Sequence, residues 1–262
     1  MSFIQITDTH LLDDPAETMH GFNTRDSFEA VMLDALRRYP EIDFLLFTGD
    51  ISQTGGRQSY QQFQSVIEQC DKPVYCVPGN HDTPKLLRQV VSASPNDSIE
   101  TIRLGSIYLI LLSSHVAGRH HGAVTPQQLQ QLEDFMTSSR APLHIIAVHH
   151  PPALIDSHWL DELGLINRSE VLEVISSCKH NSLLLSGHVH QEVDQQLANI
   201  RLLATPSTCY QFVARSDTMR REEAPRPAYR YVRLNTNREI QTEVHAIEWS
   251  AGYNEASKIQ TL

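Results

Sequence analysis

Short apolar runs, each ending in a knot of polar residues, set the rhythm of the first two thirds of this chain. Phe3 to Thr7, Phe44 to Phe47, Val74 to Val77, Leu143 to Val148 and Ser182 to Ser186 read as strands. Phe44-Leu45-Leu46-Phe47 is apolar at every position, as expected where helices cover both faces of a sheet. Between these runs the period changes. Thr24 to Arg38 brings Phe28, Val31, Met32, Ala35 and Leu36 onto one helical face, with Asn23 or Thr24 able to cap it. Ser59 to Gln69 repeats the pattern with Tyr60, Phe63, Val66 and Ile67 inward. Thr125-Pro126-Gln127-Gln128 opens a further helix, with Thr as cap, Pro in the first turn and Gln reaching back. Asn167-Arg168-Ser169-Glu170 opens another in the same manner. Ile99 to Leu104 and Ser106 to Leu112 read as strands paired about Gly105.

Alternating strands and helices predict an α/β fold with a largely parallel sheet and right-handed crossovers. After residue 190 the helices drop out. Val193 to Leu197, Ile200 to Ala204, Tyr229 to Leu234 and Glu239 to Ile247 read as strands. They are expected to form a second, more antiparallel sheet packed on the first. Ser216 to Pro227 is polar and proline-bearing, hence a loop. No repeat, low-complexity run or clear linker interrupts the chain, so one domain over residues 1–249 is expected, followed by a mobile C-terminal tail over 250–262.

Composition narrows the class. A chain of 262 residues, 40% hydrophobic, can bury a sizeable core. The formal net charge of −10 disfavours generic nucleic-acid binding. No apolar run is long enough for a membrane span, and Met1 to Ile6 does not read as a signal peptide. Cys70, Cys76, Cys178 and Cys209 lack C-x-x-C spacing and read as reduced thiols of a cytoplasmic protein.

The polar knots carry the chemistry: Asp8-Thr9-His10, Gly49-Asp50, Gly79-Asn80-His81-Asp82, His149-His150-Pro151-Pro152 and Gly187-His188-Val189-His190. Four strand ends of one sheet could bring them to one crevice. In an extended segment Asp8 and His10 point the same way, as do His188 and His190, so the two pairs can clamp metal from opposite sides. Asp50 has two oxygens and can bridge two ions; Asn80 adds a neutral amide oxygen. Carboxylate and imidazole without thiolate suit Mn, Fe, Zn or Co. Two such ions would hold a water between them and clamp an in-line phosphoryl displacement. His81 is then the candidate to protonate or stabilise the leaving oxygen. Taken singly, each knot also has a plain structural reading as a cap, a turn or a loop network. The alternating histidines at 188 and 190 are the most specific, and the five knots together favour a metal centre.

In this order the five knots resemble the motifs of the calcineurin-like metallophosphoesterase superfamily, over roughly residues 1 to 249. Within it, His158-Trp159-Leu160-Asp161, Gly187-His188-Val189-His190-Gln191-Glu192 and Leu202 to Cys209 most resemble the bacterial class III cyclic nucleotide phosphodiesterases. The resemblance implies a four-layer α-β-β-α sandwich, two mixed sheets flanked by helices. It implies a first metal, usually iron, held by Asp8, His10, Asp50 and His190. It implies a second, manganese or iron, held by Asp50 as bridge with Asn80, His149 and His188. His149 is taken over His150 as ligand because it comes directly off its strand, leaving His150 in an outer shell or against substrate. Asp50 and His81 are the catalytic candidates. Candidate substrate contacts are His10, Asp50, Asn80, His81, His190, His150 and Trp159. The Asp-Arg-Gly of the superfamily's protein phosphatases is missing here, where Gly49-Asp50-Ile51-Ser52-Gln53 stands instead.

The activity so implied is hydrolysis of 3′,5′-cyclic AMP to 5′-AMP through a metal-bridging hydroxide. The motifs read phosphate and not the alcohol, so 2′,3′-cyclic nucleotides, glycerophosphodiesters or another small diester are the alternative. A non-catalytic scaffold would be expected to have lost ligands, and none is lost here. Trp159 could stack on a base or pack in its loop; Tyr210 and Phe212 are other candidate walls. The last strands and the 210–227 loop are candidates for a homodimer contact.

Overall fold

A computed structural model describes residues 1–224 and 226–248. The expected tail lies outside the described residues. Two mixed sheets face each other. One has the order β11-β10-β1-β2-β3, built from β1 (Ser2–Ile6), β2 (Phe44–Phe47), β3 (Val74–Cys76), β10 (Ala228–Leu234) and β11 (Ile240–Ala246). The other has the order β4-β5-β6-β7-β9-β8, built from β4 (Glu100–Leu104), β5 (Ile107–Leu111), β6 (Leu143–Ala147), β7 (Asn181–Ser186), β8 (Val193–Leu197) and β9 (Ile200–Ala204).

The expected division at residue 190 is therefore corrected. The first sheet's parallel core ends at β3, and β5, β6 and β7 start the second. The two late hairpins then part. β9 joins β7 in parallel and β8 closes that edge, while β10 returns to pair antiparallel with β1. Neither hairpin's own pattern of polar and apolar residues names the edge it will join.

Side-chain alternation builds the layers. In β1, Ile4 and Ile6 face α1 (Thr24–Arg38) and α2 (Arg57–Ile67), in a core with Phe28, Val31, Phe63 and Val66. Phe3 faces the other way, into the inter-sheet core with Leu46, Leu109, Ile145, Leu183, Leu203 and Val232. On the far side Ile110, Ile146 and Leu184 pack on Leu132 and Met136 of α4 (Pro126–Ser138) and on Val171 and Ile175 of α6 (Arg168–Ser177). Helix, sheet, sheet, helix is thus the order of layers. Burying one Leu or Ile side chain contributes roughly 1.5–3 kcal/mol, so these three cores are the main driving force.

Capping follows the sequence in part. Asn23 accepts a hydrogen bond from Asp26 N and Thr125 accepts one from Gln128 N. Asn167 does not cap α6 through its side chain; its amide is used on Val124, accepting from N and donating to O. Two short helices without a long apolar period, α3 (Pro84–Val90) and α5 (His158–Glu162), complete the described elements. No described helix is long and apolar enough to cross a membrane.

One polar chain crosses the apolar space between the sheets. Arg230 of β10 is 1% exposed. Its Nε donates to Thr205 Oγ1 (3.1 Å) and its Nη2 to the Ala204 carbonyl (2.9 Å). Thr205 Oγ1 donates to Gln5 Oε1, and Gln5 Nε2 donates to Thr48 Oγ1 and the Ser186 carbonyl. A buried guanidinium has to be hydrogen-bonded to persist. Here its partners end at β2 and β7, the strands that lead into the polar knots.

Candidate metal centre

Five strand ends, three from one sheet and two from the other, deliver the polar knots to one place. The single-sheet expectation is corrected accordingly: Asp8 and His10 follow β1, Asp50 follows β2, Asn80 and His81 follow β3, His149 follows β6, and His188 and His190 follow β7. Backbone hydrogen bonds lace the loops together, from Asp8 N to Gly49 O, His10 N to Asp50 O and Gly187 N to His149 O.

The D-x-H and H-x-H pairs do not converge as extended strands. Asp8, His10, Asp50, His188 and His190 have φ of 54°, 46°, 50°, 68° and 48°. The strands stop at Ile6 and Ser186, and the intervening Thr9 bonds the Ile51 carbonyl while Val189 N bonds Gly187 O. Non-glycine residues with left-handed backbone cost free energy and gather at functional sites, where surrounding contacts hold them. Gly187 is required by space: a Cβ there would overlap Thr7 Oγ1 and lie 2.7 Å from Asp8 Oδ2.

Three histidines share one device. His10 Nδ1 lies 2.7 Å from Gln53 Oε1, His149 Nδ1 2.7 Å from Thr48 O, and His190 Nδ1 2.8 Å from Tyr210 O. A carbonyl oxygen only accepts, so each Nδ1 carries the hydrogen and each Nε2 is left to the site. Those Nε2 atoms meet the carboxylates. His190 Nε2 is 3.3 Å from Asp8 Oδ1, His149 Nε2 is 3.4 Å from Asp50 Oδ2, and His10 Nε2 is 3.8 Å from Asp50 Oδ2. His10 Nε2 and His190 Nε2 stand 3.1 Å apart. His149 Nε2 is 3.2 Å from Asn80 Oδ1. His188 is buried, its backbone N donates to the Asp8 carboxylate, and its Nε2 has no hydrogen-bond partner.

Charge reinforces the arrangement. Burial works to raise Asp8 and Asp50, yet His190 holds Asp8 below the usual carboxylate range and His149 holds Asp50 well below it. Burial lowers His10 to about 4 and drives His188 well down, so both rings are neutral. Burial also acts to lower His149, but Asp50 and Asp8 outweigh it and raise it to about 9. Two anionic carboxylates and the neutral rings of His10 and His188 converge in a buried pocket, and a cation there would displace the proton that His149 holds against Asp50; such a group is a donor set for hard and borderline cations. The unpartnered His188 Nε2 and the facing His10 and His190 nitrogens fit that use.

His81 is half-buried; its backbone N donates to Asp50 Oδ1 and its Nδ1 lies 3.0 Å from the Gln53 carbonyl. His150 is fully buried behind His149 and His188, its Nδ1 bonded to Ser114 Oγ and its Nε2 to the His120 carbonyl. Both its ring nitrogens are thus already used, and burial lowers it to about 3. Trp159 is half-buried and meets Phe212 edge to face at 4.9 Å, in a satellite cluster with Phe22 and Tyr210.

Several supporting residues hold the site together from outside the proposed ligand set. Asp82 accepts from Ile51, Ser52 and Gly79 N and from the Tyr60 hydroxyl, locking the Asp50 loop to the Asn80 loop. Burial and the charge of Asp50 raise Asp82 to about 6. Gln53 and the Thr48 carbonyl gave no sequence signal beyond lying near the knots; Ser207, which donates to Asp8 O, lies in the Leu202 to Cys209 stretch that carries the resemblance, and Tyr210, a candidate wall, also orients His190 through its carbonyl.

Comparison with known proteins agrees with this geometry. The family model for calcineurin-like phosphoesterases matches residues 1–192. The chain is 35% identical over 248 residues to a 3′,5′-cyclic adenosine monophosphate phosphodiesterase, CpdA, of Vibrio vulnificus, covering 94% of this chain and 90% of that one. It is 33% identical to the Escherichia coli protein of the same name, covering 93% and 89%. Among solved structures, a dimetal phosphatase from Danio rerio superposes with a TM-score of 0.67 at 15% identity, covering 95% of this chain and 99% of that one; this likeness is one of fold. The chain belongs to the calcineurin-like phosphoesterase family.

Proposed function

We propose that this protein is a phosphodiesterase that hydrolyses 3′,5′-cyclic AMP to 5′-AMP on two cations. The observation that carries the reading is the pair His10 Nε2 and His190 Nε2, 3.1 Å apart with both opposite nitrogens committed to carbonyl oxygens. Two imidazole nitrogens at that distance, beside the Asp8 and Asp50 carboxylates, are placed to share one cation. The first cation, iron in this reading, takes Asp8, His10, Asp50 and His190. The second, manganese or iron, takes Asp50, Asn80, His149 and His188. Bound there, the pair supplies Lewis acidity toward phosphoryl oxygens and an activated water for in-line displacement.

The chain's own residues do the rest. The three committed Nδ1 atoms keep the ligand rings from rotating. His81 Nδ1 is occupied by Gln53 O, so its Nε2 is the nitrogen left for substrate. Protonated, that nitrogen donates to the scissile phosphate and then to the departing 3′ oxygen. A cyclic diester carries one negative charge, which suits a site without an arginine clamp. The choice of cyclic AMP rests on the names of the relatives in Vibrio vulnificus and Escherichia coli.

The test is product release by metal-stripped protein reloaded with Mn²⁺ or Fe²⁺. Cyclic AMP is expected to yield 5′-AMP. Turnover of 2′,3′-cyclic nucleotides or glycerophosphodiesters with none of cyclic AMP, under any metal, overturns the substrate and leaves the small-diester alternative.

A further inference from the structure

A cleft of about 510 Å³ opens beside the metal centre, lined by His20, Gly21, Phe22, Tyr210 and the segment 220–223. That volume suits a small organic ligand. Tyr210 belongs to both places. Its carbonyl orients His190, and its ring lies 4.9 Å from that of His190 and 6.0 Å from that of His10. On the cleft side it makes a T-shaped contact with His20, with centroids 5.2 Å apart and planes at 87°.

His20 is held there at a cost. Met19 and Phe22 exchange backbone hydrogen bonds of 2.7 and 2.9 Å around His20 and Gly21, whose φ values are 55° and 85°. Two positive φ values mark a type I′ turn, whose first corner favours Asn, Asp or Gly. A histidine at that corner is strained, and the strain seats an imidazole against Tyr210. Burial, then the nearby charge of Arg221, lowers His20, so the ring is neutral.

The far wall is charged and balanced. Phe212 and Arg221 form a β-bridge that fixes the segment, and the Arg221 guanidinium makes no hydrogen bond or ion pair among the described residues. Arg220 and Arg221 are offset by Glu222 and Glu223. Such a wall does not select a second anion. It offers donors and acceptors to a neutral heterocycle with both on its edge.

We infer that this cleft seats the nucleobase, with Tyr210 and His20 holding the ring and Arg221 donating to its acceptor edge. The inference rests on the nucleotide reading above. Its test uses 5′-AMP and ribose 5-phosphate as inhibitors of bis(4-nitrophenyl) phosphate hydrolysis by the metal-loaded protein. The two share the phosphate and the ribose, and the anomeric hydroxyl of ribose 5-phosphate stands where 5′-AMP carries the base. The unmodified protein is expected to bind 5′-AMP about tenfold more tightly, as base stacking predicts. His20→Gly, which keeps the turn because glycine accepts positive φ, and Arg221→Gln are each expected to reduce that preference about fivefold. A ratio near one in the unmodified protein, or variants that weaken both inhibitors equally, overturns the inference. Failure of the reaction shows separately: base-dependent binding without hydrolysis of cyclic AMP sinks the proposed activity and leaves the cleft standing.

Discussion

His149 Nδ1 stands 2.7 Å from the carbonyl oxygen of Thr48, so a histidine leaving one sheet is oriented by the end of a strand in the other. The relation between the sheets and the aim of a proposed ligand are therefore one variable. Packing that shifts one sheet by a fraction of an ångström moves His149 relative to Asp50.

The same device can be tested where its acceptor is a side chain. Gln53→Leu leaves His10 in place and removes the oxygen that fixes its tautomer. Metal affinity should fall about 10–100-fold, as for other losses of an outer-shell partner, while Gln53→Glu, which keeps an acceptor, should retain most of it. Calorimetric titration with Mn²⁺ reads both. Equal affinity in the Leu variant would show that ring packing alone orients His10.

Metal loading should stabilise the fold. At a free concentration of about 100 times Kd, one bound cation adds about 2.7 kcal/mol, and for a chain of this size each kcal/mol moves Tm by about 2–4 °C. Scanning fluorimetry with and without chelator should show that rise in the unmodified protein. Asp50→Asn, which weakens both proposed sites together, should abolish most of it, and elemental analysis should find fewer than two metals per chain. A variant that keeps two metals and the full thermal shift would remove Asp50 from the bridging role.

Gly187→Ala tests how tightly the knots interlock. Its methyl group would meet Thr7 Oγ1, Asp8 Oδ2 and Thr48 O, hydroxyl, carboxylate and backbone atoms that cannot all yield. Overpacking of this kind costs about 1–3 kcal/mol, and Asp8 is among the groups displaced. Denaturant unfolding should show the loss, accompanied by weaker metal binding. Unchanged metal affinity would mean the loop relaxes without moving Asp8.

Arg230→Met keeps bulk and strips the donors from the buried chain through Thr205 and Gln5. The Ala204 carbonyl loses a donor and the Thr205 hydroxyl is left with Gln5 alone, at about 1–3 kcal/mol for a buried group left unsatisfied. Urea unfolding measures this directly. A variant as stable as the parent would show that water or a relaxed Gln5 takes the vacated role.

How much of this was legible in the sequence depended on what each residue's partners were. The strands leading to the knots announced themselves because helices cover their outer faces, and Phe44 to Phe47 could hardly be anything else. The polar knots were legible because Asp, Asn, His and Gly sit together there in quantity. The sheet boundary was not: β8 and β9 look like β10 and β11 in composition, and only long-range pairing sends one pair to β7 and the other to β1. Gln53, Tyr60 and Asp82 act through oxygen atoms aimed at other loops, and His20 through a turn whose usual residue is Asn. Local pattern carries none of that information.

The left-handed backbone at Asp8, His10, Asp50, His188 and His190 has a consequence for anyone wishing to retune the centre. Asp, Asn, His and Gly tolerate that conformation; β-branched and bulky residues do not. The alphabet open to substitution is thus set by the main chain before any question of metal preference arises. A swap such as Asp50→Asn or His190→Asn can be accommodated and read as chemistry, whereas a Val or Thr there would break the turn first. Engineers seeking altered metal selectivity should look one layer out, to Gln53 and Ser207, where the backbone leaves choice.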